Sequence, residues 1–288
     1  MKLTIHGYST ALFATWYFVE ELGILFDAGD GVVSNLLGKA GKIRNVFISH
    51  ADRDHLMGLL QYNQLFAKTS LNIHYPKDAN SFKHLNEFLI RFDPHMEQAR
   101  WKPINDLETI AIKNSFSVQA FENKHINVPN QLKSVSYKVI ETKHKLKPEF
   151  SSLNPKEIVA LKKEKGDDYI KETSKQDVLI YSGDTPVYDY SKYDNCKTLI
   201  HEATFLTKNE TVNKNNKNKH SSLEEVMEMV ANISIETLVL GHFSSRYDIN
   251  TIDKKIKALI KHYNIKIPVY RMPIGVMQKD ILNGKPIN

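Results

Sequence analysis

The sequence predicts a layered α/β protein in which two related halves join into one unit across residues 1–288. Three observations carry this. Short apolar runs with strand character alternate with segments of helical spacing in both halves of the chain. Polar clusters holding His or Asp stand directly after the apolar runs, where functional residues gather in layered α/β folds. The composition, 41% hydrophobic and 25% charged, is that of an ordinary globular protein, and a chain of this length buries a sizeable core without disulfides.

Taken in order, residues 2–6 and 16–19 alternate as strands do, and 22–27 (LGILFD) is a short apolar run closed by Ala28-Gly29-Asp30-Gly31. Residues 43–48 (IRNVFI) form a strand that runs straight into Ser49-His50. Leu56, Leu59, Leu60 and Phe66 share related faces of a helix over 54–67, and a second helix is expected over 80–92. Strand signals return at 109–112, 116–121 and 135–140. The stretch 144–176 departs from this rhythm: it is rich in Lys and Glu, carries Pro148 and Pro155, and reads as a surface insertion with a solvated helix at 155–165. Strands at 177–181, 198–201, 236–240 and 267–271 then alternate with helices at 222–232 and 251–262, the first of these opened by a Ser222–Glu225 capping box. Residues 207–219 (TKNETVNKNNKNK) read as a mobile polar loop, and no short repeat is present.

Bulk properties exclude several classes. One cysteine, Cys196, rules out an intramolecular disulfide and a Cys-rich zinc site. No apolar run approaches the eighteen or so residues of a membrane-spanning helix. The opening MKLTIHGYST lacks the apolar stretch of a signal peptide, so a cytoplasmic protein is expected. The net charge of +6 suits a phosphate-rich partner, although a Lys- and Asn-rich composition produces the same charge without one.

The strongest local signal is Ser49-His50-Ala51-Asp52-Arg53-Asp54-His55, between a strand and a helix. His50, Asp52, Asp54 and His55 are candidate metal ligands, and a strand-to-helix turn can aim all of them at one point. Imidazole nitrogen and carboxylate oxygen suit zinc and harder divalent ions. Alone, the string also fits a polar surface turn, though less well. Three later residues change that balance, each standing after an apolar strand: His125 in ENKHINVP, Asp184 in VLIYSGDTP and His242 in TLVLGHFSS.

This order resembles the metallo-β-lactamase superfamily, whose HxHxDH motif is followed by a His, an Asp and a final His. The resemblance runs from about Ile24 to Ser245. It implies a four-layer αβ/βα sandwich and two divalent ions, bridged by Asp184 and a water or hydroxide. It implies that His50 and His125 bind the first ion, with Asp52 where the family has a histidine, and that Asp54, His55 and His242 bind the second. FDAGDG at 26–31 resembles the family's Asp-Gly turn, which makes Asp27 an orienting residue behind the ligands. Zinc is the ion implied, and Asp52 hardens the first site toward manganese or iron.

Two further strings, His201-Glu202-Ala203-Thr204-Phe205 and His220-Ser221-Ser222, resemble the HEAT and HST motifs of ribonuclease Z, the tRNA 3′-endonuclease. The resemblance implies a metal-dependent phosphodiesterase that cleaves an RNA 3′ end or a small phosphodiester. Asp54, Glu202 and His220 would be its catalytic residues, the last two as the pair that protonates the leaving group. Members of that family are often homodimers, though the sequence itself shows no interface. They also carry a long GP-rich arm between the third and fourth motifs. Here the matching stretch, about 141–177, is a short insertion bearing Lys143, Lys145, Lys147, Lys162, Lys163 and Lys165. Two other readings stay open: a hydrolase of the same fold acting on a small thioester, lactone or cyclic nucleotide, and a non-catalytic binding protein whose Asp52 marks a degraded site. His6, His74, His84, His95, His144 and His262 receive no role.

Overall fold

The computed structural model describes residues 3–211 and 219–288. Its first half is a six-stranded sheet in chain order. The strands are β1 (Ile5–Thr10), β2 (Ala14–Val19) and β3 (Ile24–Phe26), then β4 (Asn45–Phe47), β5 (Asn72–Pro76) and β6 (Arg100–Ile104). The first two pairings are antiparallel and the other three parallel. Helices α1 (Val32–Leu36), α2 (Arg53–Leu56), α3 (Gly58–Phe66) and α4 (Ser81–Phe92) connect the parallel strands.

The second half begins with β7 (Thr109–Lys113) and β8 (Phe116–Glu122), then a two-stranded ribbon of β9 (Asn127–Val128) and β10 (Gln131–Leu132). It continues through β11 (Val135–Leu146), α5 (Pro155–Lys165), α6 (Asp167–Ile170), β12 (Lys171–Tyr181) and β13 (Cys196–Glu202). Helices α7 (Lys208–Thr211) and α8 (Leu223–Val230), β14 (Ile235–Gly241), α9 (Ile249–Tyr263) and β15 (Val269–Arg271) complete it. The seven-stranded order is β15-β14-β13-β12-β11-β8-β7.

Strand alternation sorts the apolar residues into three cores. Tyr17, Val19, Ile24, Phe26 and Phe47 of the first sheet face Val118, Tyr137, Val139, Leu179, Tyr181, Ile200 and Val239 of the second. The intervening residues point outward: Trp16, Phe18, Leu25 and Val46 meet α1, α3 and α4, while Ile180, Leu199, Leu238 and Leu240 meet α8 and α9. Strands buried on both faces favour apolar residues at successive positions, which explains why β2 (ATWYFV) is apolar or aromatic at all but Thr15 and why Val46 and Phe47 follow each other in β4. The result is the four-layer αβ/βα sandwich, with each fully buried large side chain contributing about 1.5–3 kcal/mol.

Several boundaries differ from the sequence-based expectation. The strand expected at 2–6 runs from Ile5 to Thr10, and the helix expected over 54–67 breaks at Met57 into α2 and α3. The break has a local cause: the Gly58 amide donates to the Ala28 carbonyl at 2.8 Å, and a Cβ at Gly58 would sit 2.2 Å from the Gly29 carbonyl oxygen. That close approach docks α2 onto the Asp27–Gly29 turn.

The surface insertion is more ordered than expected. β11 and β12 continue as an antiparallel ladder from Glu141↔Gln176 to Leu146↔Lys171, closed by a 3₁₀ turn (Pro148–Phe150), α5 and α6. The segment is therefore a protruding hairpin. Its helix α5 starts where Asn154 and Glu157 form a reciprocal capping box, and none of its residues is buried. Of the polar stretch 207–219, residues 212–218 lie outside the described residues.

Candidate metal centre

The residues singled out from the sequence converge at one edge of the sandwich, from the ends of both sheets. β4 runs into Ser49 and His50. Asp52 occupies the N-cap position of α2 without a side-chain capping bond, and Asp54 and His55 lie in the first turn of that helix. His125 follows β8, Asp184 follows β12, Glu202 ends β13 and His242 follows β14. His242 and Asp27 both take left-handed backbone conformations, with φ of 60° and 53°. Such strain in non-glycine residues persists only where the surroundings enforce it.

Asp184 lies at the middle of the cluster. One of its carboxylate oxygens is 3.3 Å from His55 Nε2, 3.3 Å from His242 Nε2 and 3.8 Å from His50 Nε2. On one side, Asp52 lies 3.5 Å from His50 Nε2 and 3.4 Å from His125 Nε2. On the other, Asp54 lies 3.5 Å from His55 Nε2 and 3.4 Å from His242 Nε2. Among the described residues five groups of three offer donors within 4.8 Å of one another: His50–Asp52–His125, Asp54–His55–His242 and His50–His55–Asp184 between them, and two that include His220, with His125 and Asp184 or with Glu202 and His242.

The donor set fits divalent ions. The Nε2 atoms of His50 and His55 are buried without a hydrogen-bond partner among the described residues, and buried polar atoms rarely stay unsatisfied unless something binds them. Burial and then the neighbouring His55 hold the His50 imidazole below its ordinary range, so its lone pair is available. Burial likewise opposes charge on His55, but Asp184 and Asp27 outweigh it and hold that group well above 6.5. Asp184 itself stays well below the usual carboxylate range, because His242 and His55 overcome its burial.

Behind the donors stands a layer of orienting contacts. Asp27, fully buried, accepts from the Ser49 amide at 2.6 Å, the Ser49 hydroxyl at 2.8 Å, His55 Nδ1 at 2.7 Å and the Tyr181 hydroxyl. It holds His55 through Nδ1 and leaves Nε2 facing Asp184, in the orienting position that the sequence reading gave Asp27. His50 Nδ1 lies 2.9 Å from Ser49 Oγ, and His125 Nδ1 donates to the Lys219 carbonyl at 2.9 Å.

Glu202 and His220 are brought together beside this cluster. His220 Nδ1 is 3.1 Å from Glu202 Oε1 and 3.8 Å from Asp184. Glu202 is buried and also accepts from the Thr185 amide at 2.8 Å and the Thr204 hydroxyl at 2.6 Å. Burial works against the His220 imidazolium, yet Glu202 outweighs it and lifts the group to about 9. The pair is built to keep an imidazolium charged in a half-buried position.

Sequence reasoning missed Thr204. Its hydroxyl donates to Glu202 and accepts from His242 Nδ1 at 2.8 Å, so one side chain joins the Glu202 pair to a candidate metal ligand. The residue stands inside the HEATF string, but only the fold shows which neighbours it bridges. The amide of Leu12, in the β1–β2 turn, donates to Asp54 at 3.1 Å and was equally unforeseen.

No protein-family model matches the chain. Among curated proteins it is 27% identical over 274 residues to the tRNase Z TRZ2, chloroplastic, of Arabidopsis thaliana, covering 91% of this chain and 73% of that protein. It is 29% identical over 273 residues to a Ribonuclease Z of Methanocaldococcus jannaschii, covering 83% and 82%. Among solved structures it resembles the metallo-beta-lactamase fold protein YhfI from Bacillus subtilis, with a TM-score of 0.62 at 15% identity over 96% of this chain and all of that one. The chain has the metallo-β-lactamase fold, and over most of its length it is similar in sequence to ribonucleases Z.

Proposed function

We propose that this protein is a metal-dependent phosphodiesterase that cleaves RNA near a 3′ end, a reading supported by its similarity to proteins named ribonuclease Z and tRNase Z. The observation that carries the reading is the Glu202–His220 pair set against Asp184. A metal cluster alone suits many hydrolases, whereas a charged imidazole beside it suits a leaving group that must take up a proton.

In this reading His50, Asp52 and His125 hold one divalent ion, and Asp54, His55 and His242 hold the other, with Asp184 between them. Zinc fits the imidazole donors, and manganese or iron(II) fits the three carboxylates. Two ions bound there would polarise the phosphoryl group and lower the pKa of an attacking water. Asp54, anchored by the Leu12 amide, aligns that water. His220, held charged by Glu202, delivers its proton to the departing 3′ oxygen. The lysines of the protruding hairpin add contacts to phosphates, which give affinity without reading sequence.

The test uses metal-stripped protein reloaded with zinc or manganese, and two substrates: bis(p-nitrophenyl) phosphate and a 3′-extended tRNA transcript. Both should be cleaved, and Asp54→Ala should abolish both. His220→Ala should slow RNA cleavage by about 10²–10⁴-fold. It should largely spare the nitrophenyl ester, because p-nitrophenolate leaves without a proton. Equal effects of His220→Ala on the two substrates would remove the leaving-group role. No turnover with either ion would remove the enzyme reading.

A further inference from the structure

We infer that the two halves of the centre hold their ions unequally: the half built from Asp54, His55 and His242 fills first and tightly, and the half built from His50, Asp52 and His125 takes a second ion weakly and exchangeably. The inference rests on the metal-dependent reading above and concerns how the same centre is loaded.

The two halves offer the same donors, two imidazoles and one carboxylate, and both share Asp184. They differ in how firmly those donors are held. In the first-filled half every ligand has a partner outside the centre: His55 on Asp27 at 2.7 Å and His242 on Thr204 at 2.8 Å, both of them buried, and Asp54 on the amide of the exposed Leu12 at 3.1 Å. The side chain of Asp54 is 11% exposed and that of His242 4%. The other half contains one donor held as well, His50 on Ser49. His125 rests on the carbonyl of Lys219, itself an exposed residue.

Asp52 is the weakest member. Its side chain is 56% exposed, and its only side-chain partners among the described residues are the two histidines it would share an ion with. It makes no capping bond to α2, so nothing else pre-sets its rotamer. An ion bound there must order that carboxylate and compete with bulk water for it, costs that the opposite half has already met through its scaffold. Water and counter-ions also screen the attraction of an exposed carboxylate.

The experiment is calorimetric titration of the metal-stripped full chain with zinc alone, with circular dichroism to confirm that each variant folds. Two steps of one equivalent each are expected, with affinities separated about tenfold or more. Asp54→Asn should remove the tighter step. Asp52→His, at an exposed position that leaves the core untouched, should draw the weaker step toward the tighter one. Two equal steps in the unmodified protein, or a weak step unmoved by Asp52→His, would overturn the inference and leave the hydrolase reading standing. Failure to bind zinc at all would overturn the inference, while the hydrolase reading would still be decided by turnover with manganese.

Discussion

Thr204 has one hydroxyl proton and two lone pairs, and the structure uses both capacities: the proton goes to Glu202, and an oxygen lone pair accepts from His242. Thr204→Val keeps the shape and removes both bonds. It should weaken the tighter zinc step by about 10–100-fold, the range for loss of a partner behind a metal ligand. Thr204→Ser should restore it. Calorimetry on the two variants separates this positioning role from a packing role, since Val packs as well as Thr. The candidate donors were legible in the sequence, because His50, His125, Asp184 and His242 combine a ligating side chain with a place after a strand, and Asp54 and His55 follow His50 in the strand-to-helix turn. Asp27 was legible through its Asp-Gly turn. Thr204 and Leu12 were not. A hydroxyl or a backbone amide carries no chemical signature until the fold shows what lies beside it.

Elements divide by how completely they are buried. β3 was legible as an apolar run, β2 as an alternating segment, and β4, the inner end of β12 and β14 as strands, while β5 (NIHYP) and β6 (RWKPI) were not. β6 is an edge strand, where a proline and alternate charges are tolerated because one side of the backbone needs no partner. The outer parts of β11 and β12 were hidden for a related reason: they form a two-stranded ladder with no core beneath, so nothing selects for apolar alternation. Helix α5 belongs to the same exposed arm, and its stability is local. Asn154→Ala should cost the helix about 1 kcal/mol. Hydrogen exchange over 155–165 should quicken, while the melting temperature of the protein stays unchanged. A clear drop in melting temperature would mean that the arm is coupled to the sandwich.

At the scale of the whole molecule, the sandwich joins two sheets through one aromatic and aliphatic core, and the centre sits where their edges meet. An ion that binds only the folded chain stabilises it by mass action, about 2.7 kcal/mol at a concentration one hundred times its Kd. For a protein of this size that is a rise of several degrees in melting temperature, which thermal scans with zinc and with chelator should show. Asp184→Asn should lose most of it. The donors are also divided by origin: His50, Asp52, Asp54 and His55 follow the first sheet, while His125, Asp184 and His242 follow the second. Sliding one sheet past the other by a single residue, about 3.3 Å, would carry one set out of coordinating reach of the other. The Tyr137 hydroxyl, from the second sheet, donates to the Ile48 carbonyl of the first at 2.7 Å, two residues before His50, and its ring packs on Phe26 and Phe47. The centre is therefore a gauge of sheet alignment, and a lesion in that aromatic cluster would register as lost metal long before it registered as an unfolded protein.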